Sequence, residues 1–356
     1  MSRRGSSRPT RSTRPARLAA VSAGLVLAVA ATTAGVGVDQ AGAPTTTVAA
    51  TPPEIVRHIG SDRFGTAVEV ALAHFGPASG RPSPTTVYLA TGRNFPDALT
   101  GGALAGARSA PVLLTRPDSL PGVTGTALTT LDPQQVVLLG GETVISREVV
   151  AEITALGIPV RRIGGGDRYE TAALVSRELP ASDLAYVVTG LNYPDALSAA
   201  PVASLDRAPV LLTRQGGLPG ATAAELRRHD PRLVIVMGGE VAVAEAVLED
   251  IRDLGIEVIR IRGNDRYQTA AALMEVWPTG ATQAWVATGL EYADALAAAP
   301  AAALRGSPVL LTRRESLPGV TGSGLVRLAP DTVIVPGGYL AITEDVDTAI
   351  RALPWE

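Results

Sequence analysis

Residues 112–116 read Val-Leu-Leu-Thr-Arg, and the same five residues return at 210–214 and at 309–313. An apolar run this short, followed by polar residues, is typical of a strand that is buried on both faces of a parallel sheet. The offsets between the three copies are 98 and 99 residues. This regular spacing predicts that one unit of roughly 100 residues occurs three times in the chain.

Three further motifs keep the same order around this strand. They are Asp-Arg-Phe/Tyr at 62–64, 167–169 and 265–267, Asp-Ala-Leu at 97–99, 195–197 and 294–296, and Gly-Gly at 140–141, 238–239 and 337–338. The first motif recurs after 105 and then 98 residues. We therefore expect about seven extra residues in the first unit, within the Pro/Ser/Gly-rich stretch 76–84.

Within a unit, short apolar runs alternate with amphipathic stretches, which predicts an α/β fold. In the second unit the predicted strands are 160–163, 185–189, 210–213 and 233–237, and the predicted helices are 167–179, 194–205, 221–228 and 243–254. Residues 55–59 supply the first strand of the first unit. We expect three tandem small doubly wound parallel-sheet units (flavodoxin-like or Rossmann-like) and twelve strands, with units at 54–158, 159–256 and 257–356.

The N-terminal 43 residues have the pattern of a secretory signal peptide. Six Arg precede an apolar run at 18–38, and Ala-Gly-Ala follows at 41–43. This order of basic leader, apolar run and small residues predicts cleavage near residue 43, a linker at 44–53 and a secreted protein with no membrane segment after cleavage. An uncleaved single-span anchor is the alternative.

Composition excludes several classes of function. The chain of 356 residues has no Cys, which excludes a disulfide scaffold, thiolate catalysis and a Cys-based metal site. Its net charge of −3 shows no basic excess, so a nucleic-acid partner is not expected. His58, His74 and His229 occupy non-equivalent positions, and we expect packing or surface roles for them. No catalytic, phosphate-loop or metal motif stands out, so neither an enzyme nor a cofactor or metal site is predicted.

Candidate ligand-binding residues follow the predicted strands, because parallel sheets bind ligands beyond the carboxyl ends of their strands. Arg116, Arg214 and Arg313 come directly after a strand, and a guanidinium there can hold phosphate or carboxylate oxygens. Pairing with a nearby acidic side chain is the alternative.

The loop before Asp-Ala-Leu supplies the other candidates: Asn94, Phe95, Asp97, Asn192, Tyr193, Asp195, Tyr292 and Asp294. Helix-dipole stabilisation by the Asp and packing by the aromatic residue are the alternatives, and Asp62, Asp167 and Asp265 are expected to be N-caps.

The ordered motifs Arg-Ile-x-Gly-x-Asp-Arg-Tyr-x-Thr-Ala, Tyr-Pro-Asp-Ala-Leu, Pro-Val-Leu-Leu-Thr and Gly-Gly resemble the cell wall-binding repeat 2 family over residues 54–353. The resemblance implies three copies in a pseudo-threefold triangular assembly. It also implies an exported Gram-positive protein that is held non-covalently on the cell wall by an anionic glycopolymer. Glu291 and Ala293 depart from the Asn and Pro of the other units, so the third unit is expected to bind differently or only to complete the assembly.

The net charge of the chain sets a condition on the binding of an anionic polymer. Residues 1–43 carry six Arg and one Asp, so the remaining chain has a net charge of about −8. Such a chain repels an anionic polymer, although physiological salt screens this repulsion at separations greater than ~8 Å. Binding then needs local clusters of Arg or a bridging divalent cation. Two functions of other classes remain as alternatives: a self-associating surface-layer or adhesive protein, and an α/β enzyme or nucleotide-binding protein.

Overall fold

A computed structural model describes residues 51–93, 96–192, 194–277 and 281–355. The expected signal peptide and residues 44–50 of the linker lie outside these ranges. In the ranges that are described, no helix has both the length and the apolar character needed to cross a bilayer.

The chain alternates strands and helices from its first described element to its last. The strands are β1 (Glu54–His58), β2 (Thr86–Thr91), β3 (Val112–Thr115), β4 (Gln135–Leu139), β5 (Val160–Ile163), β6 (Leu184–Thr189), β7 (Val210–Thr213), β8 (Leu233–Met237), β9 (Glu257–Ile261), β10 (Gln283–Thr288), β11 (Val309–Thr312) and β12 (Thr332–Pro336). The helices are α1 (Arg63–Phe75), α2 (Pro96–Ala107), α3 (Gly122–Leu131), α4 (Arg147–Ala155), α5 (Arg168–Arg177), α6 (Pro194–Asp206), α7 (Gly220–His229), α8 (Glu245–Arg252), α9 (Arg266–Ala272), α10 (Tyr292–Leu304), α11 (Gly319–Leu328) and α12 (Glu344–Arg351). Short 3-10 turns at Pro77–Ser79 and Leu273–Val276 follow α1 and α9.

The strands form three parallel sheets of four, with orders β3-β2-β4-β5, β7-β6-β8-β9 and β11-β10-β12-β1. The predicted α/β fold of three parallel-sheet units is confirmed. The first strand of each unit, with the bounds given above, joins a sheet whose other three strands belong to a different unit. β5 pairs with β4, β9 pairs with β8, and β1 pairs with β12 at the other end of the chain.

The strands β1, β5 and β9 are less buried than the strands beside them. The middle strands, such as β4 and β8, are almost wholly buried, whereas β1, β5 and β9 are partly exposed and each carries at least one Arg. Polar and partly exposed strands belong at the edge of a sheet, where charged side chains prevent pairing with further strands. The polar first strand of the second and third units thus forms the edge of the preceding sheet. The first strand of the chain, β1, pairs with β12 in the last sheet, so the three units are joined in a closed ring.

The three repeats converge on the helices α2, α6 and α10, which pack against one another in all three pairs. Small side chains allow this approach: a Cβ atom on Gly106 would lie 2.4 Å from the Ser204 Oγ and 3.0 Å from the Ala303 Cβ. The Ser204 hydroxyl also donates a hydrogen bond of 2.9 Å to the Ala103 carbonyl. One helix from each repeat therefore surrounds the common centre, in the pseudo-threefold arrangement that the family resemblance implied.

Candidate functional site

The Asp-Arg-Phe/Tyr motif begins the first helix of every repeat. The Asp62 carboxylate accepts from the Gly65 amide at 2.9 Å, Asp167 accepts from the Tyr169 and Glu170 amides at 2.9 and 2.8 Å, and Asp265 accepts from the Gln268 amide at 2.8 Å. These contacts satisfy amide groups that the first turn of a helix leaves without partners. The predicted N-cap role of the three Asp residues is confirmed.

The Arg of the same motif holds the loop after the second strand. Arg63 donates from Nη1 to the Gly92 carbonyl at 2.7 Å, Arg168 donates to Gly190 at 2.5 Å, and Arg266 donates to Gly289. Arg63 also reaches the third repeat, because its Nη2 lies 3.6 Å from the Glu291 Oε2 in an exposed ion pair. This Arg therefore pairs with a carboxylate of a neighbouring unit at this junction.

The Asp of Asp-Ala-Leu lies at the junction between two repeats. Asp97 and Asp294 are 9% and 8% exposed. Asp97 interacts with Thr171 and Arg168 of the second repeat, and Asp294 interacts with Thr66 and Arg63 of the first repeat. The structure therefore gives these two candidate ligand residues partners inside the assembly.

Burial makes both carboxyl groups harder to ionise. Loss of hydration raises the pKa of Asp97, and it raises the pKa of Asp294 to about 6. Hydrogen bonds from the Thr hydroxyls and the nearby Arg charges offset part of that rise. The side chain of Asp195, the equivalent residue of the second repeat, lies outside the described residues.

The Gly-Gly pair makes room for the buried carboxylate. Gly140 and Gly337 have φ values of 113° and 106°, in a region that L-residues rarely occupy. A Cβ atom on Gly140 would lie 2.7 Å from the Asp97 Oδ2, and one on Gly337 would lie 2.6 Å from the Asp294 Oδ2. The first glycine is therefore required both by its backbone conformation and by the adjacent carboxylate.

A second recurring Arg, which begins the Arg-Ile-x-Gly-x-Asp motif but was not among the predicted site residues, supports the same turn. Arg162 donates to the Gly140 carbonyl at 2.8 Å, Arg260 donates to Gly238 at 2.9 Å, and Arg57 reaches Gly337 at 3.4 Å. These residues lie on the edge strands β5, β9 and β1. Their sequence signal was available, since an Arg stands five residues before the Asp of Asp-Arg-Phe/Tyr in every repeat.

Arg116, Arg214 and Arg313 occupy equivalent exposed positions at the carboxyl ends of β3, β7 and β11. Each guanidinium carbon lies over the aromatic ring of the same repeat's first helix, 5.1 Å from the Phe64 centroid, 4.9 Å from Tyr169 and 4.8 Å from Tyr267. Between residues 51 and 355, as far as the structure describes them, none of the three forms an ion pair. A cation that lies over a ring and is exposed to water is positioned to meet an anion.

A groove of about 720 Å³ runs along the carboxyl ends of the strands between the second and third repeats. Asn192 lies in it, with Arg262, Asn264 and the exposed side chains of Leu191 and Val241. Candidates Asn94, Phe95 and Tyr193 lie outside the described residues. Tyr292 is 8% exposed at the start of α10, where it packs in the core.

The three histidines lie elsewhere. His58 and His74 face each other in a buried cluster with Trp285, with 3.1 Å between their Nε2 atoms, and His229 is buried beside Arg228. Burial lowers the pKa of His74 and of His229 to about 4. The described residues contain no group of three or more His, Asp or Glu that could hold a metal ion.

Comparison with known families gives three matches in one chain. Residues 57–150, 162–248 and 260–347 each match the family described as Cell wall binding domain 2 (CWB2). The matched segments follow the three sequence repeats.

Among curated proteins, the chain is similar to two from Bacillus subtilis. It is 30% identical over 258 residues to the N-acetylmuramoyl-L-alanine amidase LytC, covering 72% of this chain and 50% of that protein. It is 32% identical over 263 residues to the amidase enhancer, covering 74% of this chain and 36% of that protein. The chain thus spans half or less of the length of these relatives.

Solved structures from Clostridium difficile share the fold. Cwp6 superposes with a TM-score of 0.79 at 24% identity, covering 88% of this chain and 51% of that chain. Cwp8 superposes with a TM-score of 0.75 at 27% identity, covering 83% and 51%. The three-sheet ring described above is therefore shared with these structures.

Proposed function

Because the chain belongs to the Cell wall binding domain 2 family, we propose that it binds an anionic secondary polymer of the bacterial cell wall and retains a protein there without covalent attachment. The polymer is bound and not chemically changed. In this proposal residues 1–43 are a signal peptide, residues 44–53 are a linker, and the repeats at 54–158, 159–256 and 257–356 are the binding module of a secreted, wall-associated protein.

The observation that carries the proposal is the threefold repetition of an exposed Arg on an aromatic ring. Arg116, Arg214 and Arg313 share the same position in the fold, the same exposure and a centroid distance of 4.8 to 5.1 Å. A repeating polymer presents the same anionic group many times, and three linked weak sites raise avidity well above that of one site. Local cations also overcome the repulsion expected from a net negative chain.

The position of the groove supports an extended ligand. It lies at the carboxyl ends of the strands, where parallel sheets bind ligands, and its volume of about 720 Å³ is suited to a short glycan segment. Asn192 and Arg262 provide polar groups along it, while Leu191 and Val241 provide apolar surface for sugar rings.

The test replaces Arg116, Arg214 and Arg313 together with Gln and measures retention on isolated walls. We expect at least a tenfold loss, and weaker retention of the unchanged protein on walls stripped of secondary polymer. The matched control replaces Arg147, Arg232 and Arg252, which are exposed and already paired with Glu, so the change of net charge is the same. Equal retention by the two triple variants would contradict the proposal. Loss of binding with a chelator alone would assign the contact to a bridging cation.

Self-association is a second candidate, favoured by one observation. Val241 and Leu340 occupy equivalent loop positions and are 93% and 86% exposed, whereas the first repeat has Thr143 there. Val241 also lies with the exposed Leu191 along the groove, and adjoining exposed apolar side chains indicate contact with another molecule. Sedimentation at increasing concentration, without wall material, tests this candidate: assembly that Val241→Ser and Leu340→Ser abolish would support it.

A further inference from the structure

A pocket of about 570 Å³ opens at the amino ends of β2 and β4, on the edge of the first sheet opposite to the groove and the three exposed arginines. The side chains that matter for its chemistry are Phe75, Arg81, Tyr88, Arg108, Arg161 and Glu178. This pocket lies outside the polymer-binding face and plays no part in the function proposed above.

The pocket depends on the extra residues of the first repeat. Residues 81–84 form one of its walls, and they belong to the Pro/Ser/Gly-rich stretch that the other repeats lack. This insertion brings the exposed Arg81 and the ring of Pro82 over the strand ends. The pocket in this form is therefore a property of the first repeat.

The floor of the pocket differs from its counterpart in the second repeat at one decisive position. In the second repeat the Tyr186 hydroxyl donates to the Asp206 Oδ2 at 2.9 Å. Tyr88 has the same register as Tyr186, because Tyr88 pairs with Val112 as Tyr186 pairs with Val210. The offset of 98 residues places Arg108 where the second repeat has Asp206.

The replacement of Asp by Arg leaves the Tyr88 hydroxyl without its acceptor. Tyr88 is only 3% exposed, and within the described chain its hydroxyl makes no hydrogen bond. Tyr88 lines the pocket, so its hydroxyl can donate to a molecule bound there. Burial also raises the pKa of Tyr88, so the phenol stays protonated and acts as a donor. The Tyr88 hydroxyl and the Arg108 guanidinium, which are both hydrogen-bond donors, therefore line a pocket that can hold an acceptor.

The cations around this space are held in place. Arg108 donates from Nη2 to the Glu178 carbonyl at 2.5 Å, and Arg161 holds the Glu178 carboxylate through two hydrogen bonds of 2.8 and 3.0 Å. With Arg81 added, three Arg and one Glu give the pocket a net charge of +2. This charge is opposite in sign to that of the chain as a whole.

We propose that this pocket is a binding site for a small phosphorylated sugar. Its phosphate lies between the Tyr88 hydroxyl and the guanidinium groups of Arg108 and Arg81, since a tetrahedral phosphate accepts hydrogen bonds from several directions. Its sugar ring lies against the exposed ring of Pro82. A volume of about 570 Å³ is within the range of small-molecule sites and is sufficient for a monosaccharide phosphate.

The test measures binding of glucose 1-phosphate to the full chain by calorimetry, with glucose and inorganic phosphate as separate probes. We expect glucose 1-phosphate to bind, inorganic phosphate to bind more weakly and glucose not to bind. Tyr88→Phe is expected to weaken binding at least fivefold. Arg108→Asp recreates the Tyr–Asp pair of the second repeat and is expected to abolish binding while the melting temperature stays the same or rises.

The matched control is Tyr186→Phe, which removes the equivalent hydroxyl from the second repeat and should leave binding unchanged. Absence of glucose 1-phosphate binding at millimolar concentration, equal binding of glucose, or unchanged affinity in Arg108→Asp would overturn the proposal. The outcome is independent of wall binding: the Tyr88 and Arg108 variants should keep wall retention, and the Arg116/Arg214/Arg313 variant should keep sugar-phosphate binding.

Discussion

Arg57 on the first strand holds Asp347 on the last helix through two parallel hydrogen bonds, although 290 residues separate them in sequence. The Nε atom lies 2.9 Å from Oδ2, and Nη2 lies 2.7 Å from Oδ1. The two side chains are 7% and 5% exposed, and the guanidinium also lies 4.3 Å from the centroid of the Tyr339 ring. This buried pair joins the two ends of the ring.

Breaking the pair from one side should strongly destabilise the protein. Arg57→Met leaves the Asp347 carboxylate buried without its cation, and we expect the free energy of unfolding to fall by about 3–5 kcal/mol. The double variant Arg57→Met/Asp347→Leu should recover much of this loss, because no charge remains buried. Urea denaturation measures both.

The exposed pair of Arg147 and Glu142 provides the matched control. Its atoms lie 2.9 Å apart, but the side chains are 80% and 54% exposed, so Arg147→Met should change stability by less than about 1 kcal/mol. If Arg57→Met were equally mild, the claim that this pair closes the ring would be refuted.

The His58–His74 contact predicts sensitivity to acid. Burial, then the neighbouring His58 and Arg305, lower the pKa of His74 to about 4, from 6.5 in the unfolded chain. Between pH 6.5 and 4 the unfolded state therefore binds more protons than the folded state, so stability falls as the pH is lowered through this window. The loss from His74 reaches at most about 3 kcal/mol. His74→Gln should flatten the pH dependence; an unchanged slope would disprove this origin.

Asp294 predicts a slope of the opposite sign. Its folded pKa of about 6 lies above the unfolded value of 3.8, so its favourable contribution is complete below 3.8 and is lost as the pH rises through 6. Asp294→Asn stays neutral at every pH. The stability of this variant relative to the unchanged protein should therefore increase between pH 4 and pH 7, as measured by denaturation at several pH values.

Two glycines of α2 predict opposite effects of the same substitution. Gly106→Ala places a Cβ atom 2.4 Å from the Ser204 Oγ, so the central helices must separate, and we expect a loss of about 1–3 kcal/mol. Gly102→Ala meets nothing closer than 3.5 Å, and its higher helix propensity should add about 0.5–1 kcal/mol. Thermal melting of both variants decides the matter, and a neutral Gly106→Ala would mean that the helices are not closely packed.

The two members of one Gly-Gly pair also differ. Gly140→Ala combines an unfavourable φ of 113° with a contact of 2.7 Å to the Asp97 carboxylate, and we expect a loss of about 2 kcal/mol or more. Gly141→Ala is the control, because its Cβ would lie 3.6 Å from the nearest atom. Equal denaturation midpoints for the two variants would contradict the role assigned to Gly140.

The repeats, the strands and the parallel arrangement could be predicted from sequence because each depends on local pattern. The edge to which a first strand adds could not. In a sequence with three repeats, each repeat can be taken to begin at any point of the period. The spacing therefore located β5 but did not show whether it belongs to the sheet before it or the sheet after it. The exposure of the Arg-bearing edge strands, visible only in three dimensions, separates the two possibilities.

The candidate site was predictable to a smaller extent. Arg116 and its two equivalents could be placed at the strand ends from sequence, because each directly follows a buried strand. That Asp97 faces Thr171 could not be predicted, since its partner lies in another repeat. The unpaired Tyr88 hydroxyl was equally hidden, because a single change at Arg108 matters only once the fold brings the two residues together.

The pairing of β1 with β12 has a consequence for how the chain can be rearranged. Thr51 and Trp355 line the same surface cleft, so the two described ends of the chain are neighbours in space. The exposed Gly80 lies between β1, which belongs to the sheet with β12, and β2, which belongs to the next sheet. In a circular permutant that joins the present ends through a short connector and starts after Gly80, each sheet would be encoded by one uninterrupted stretch of sequence.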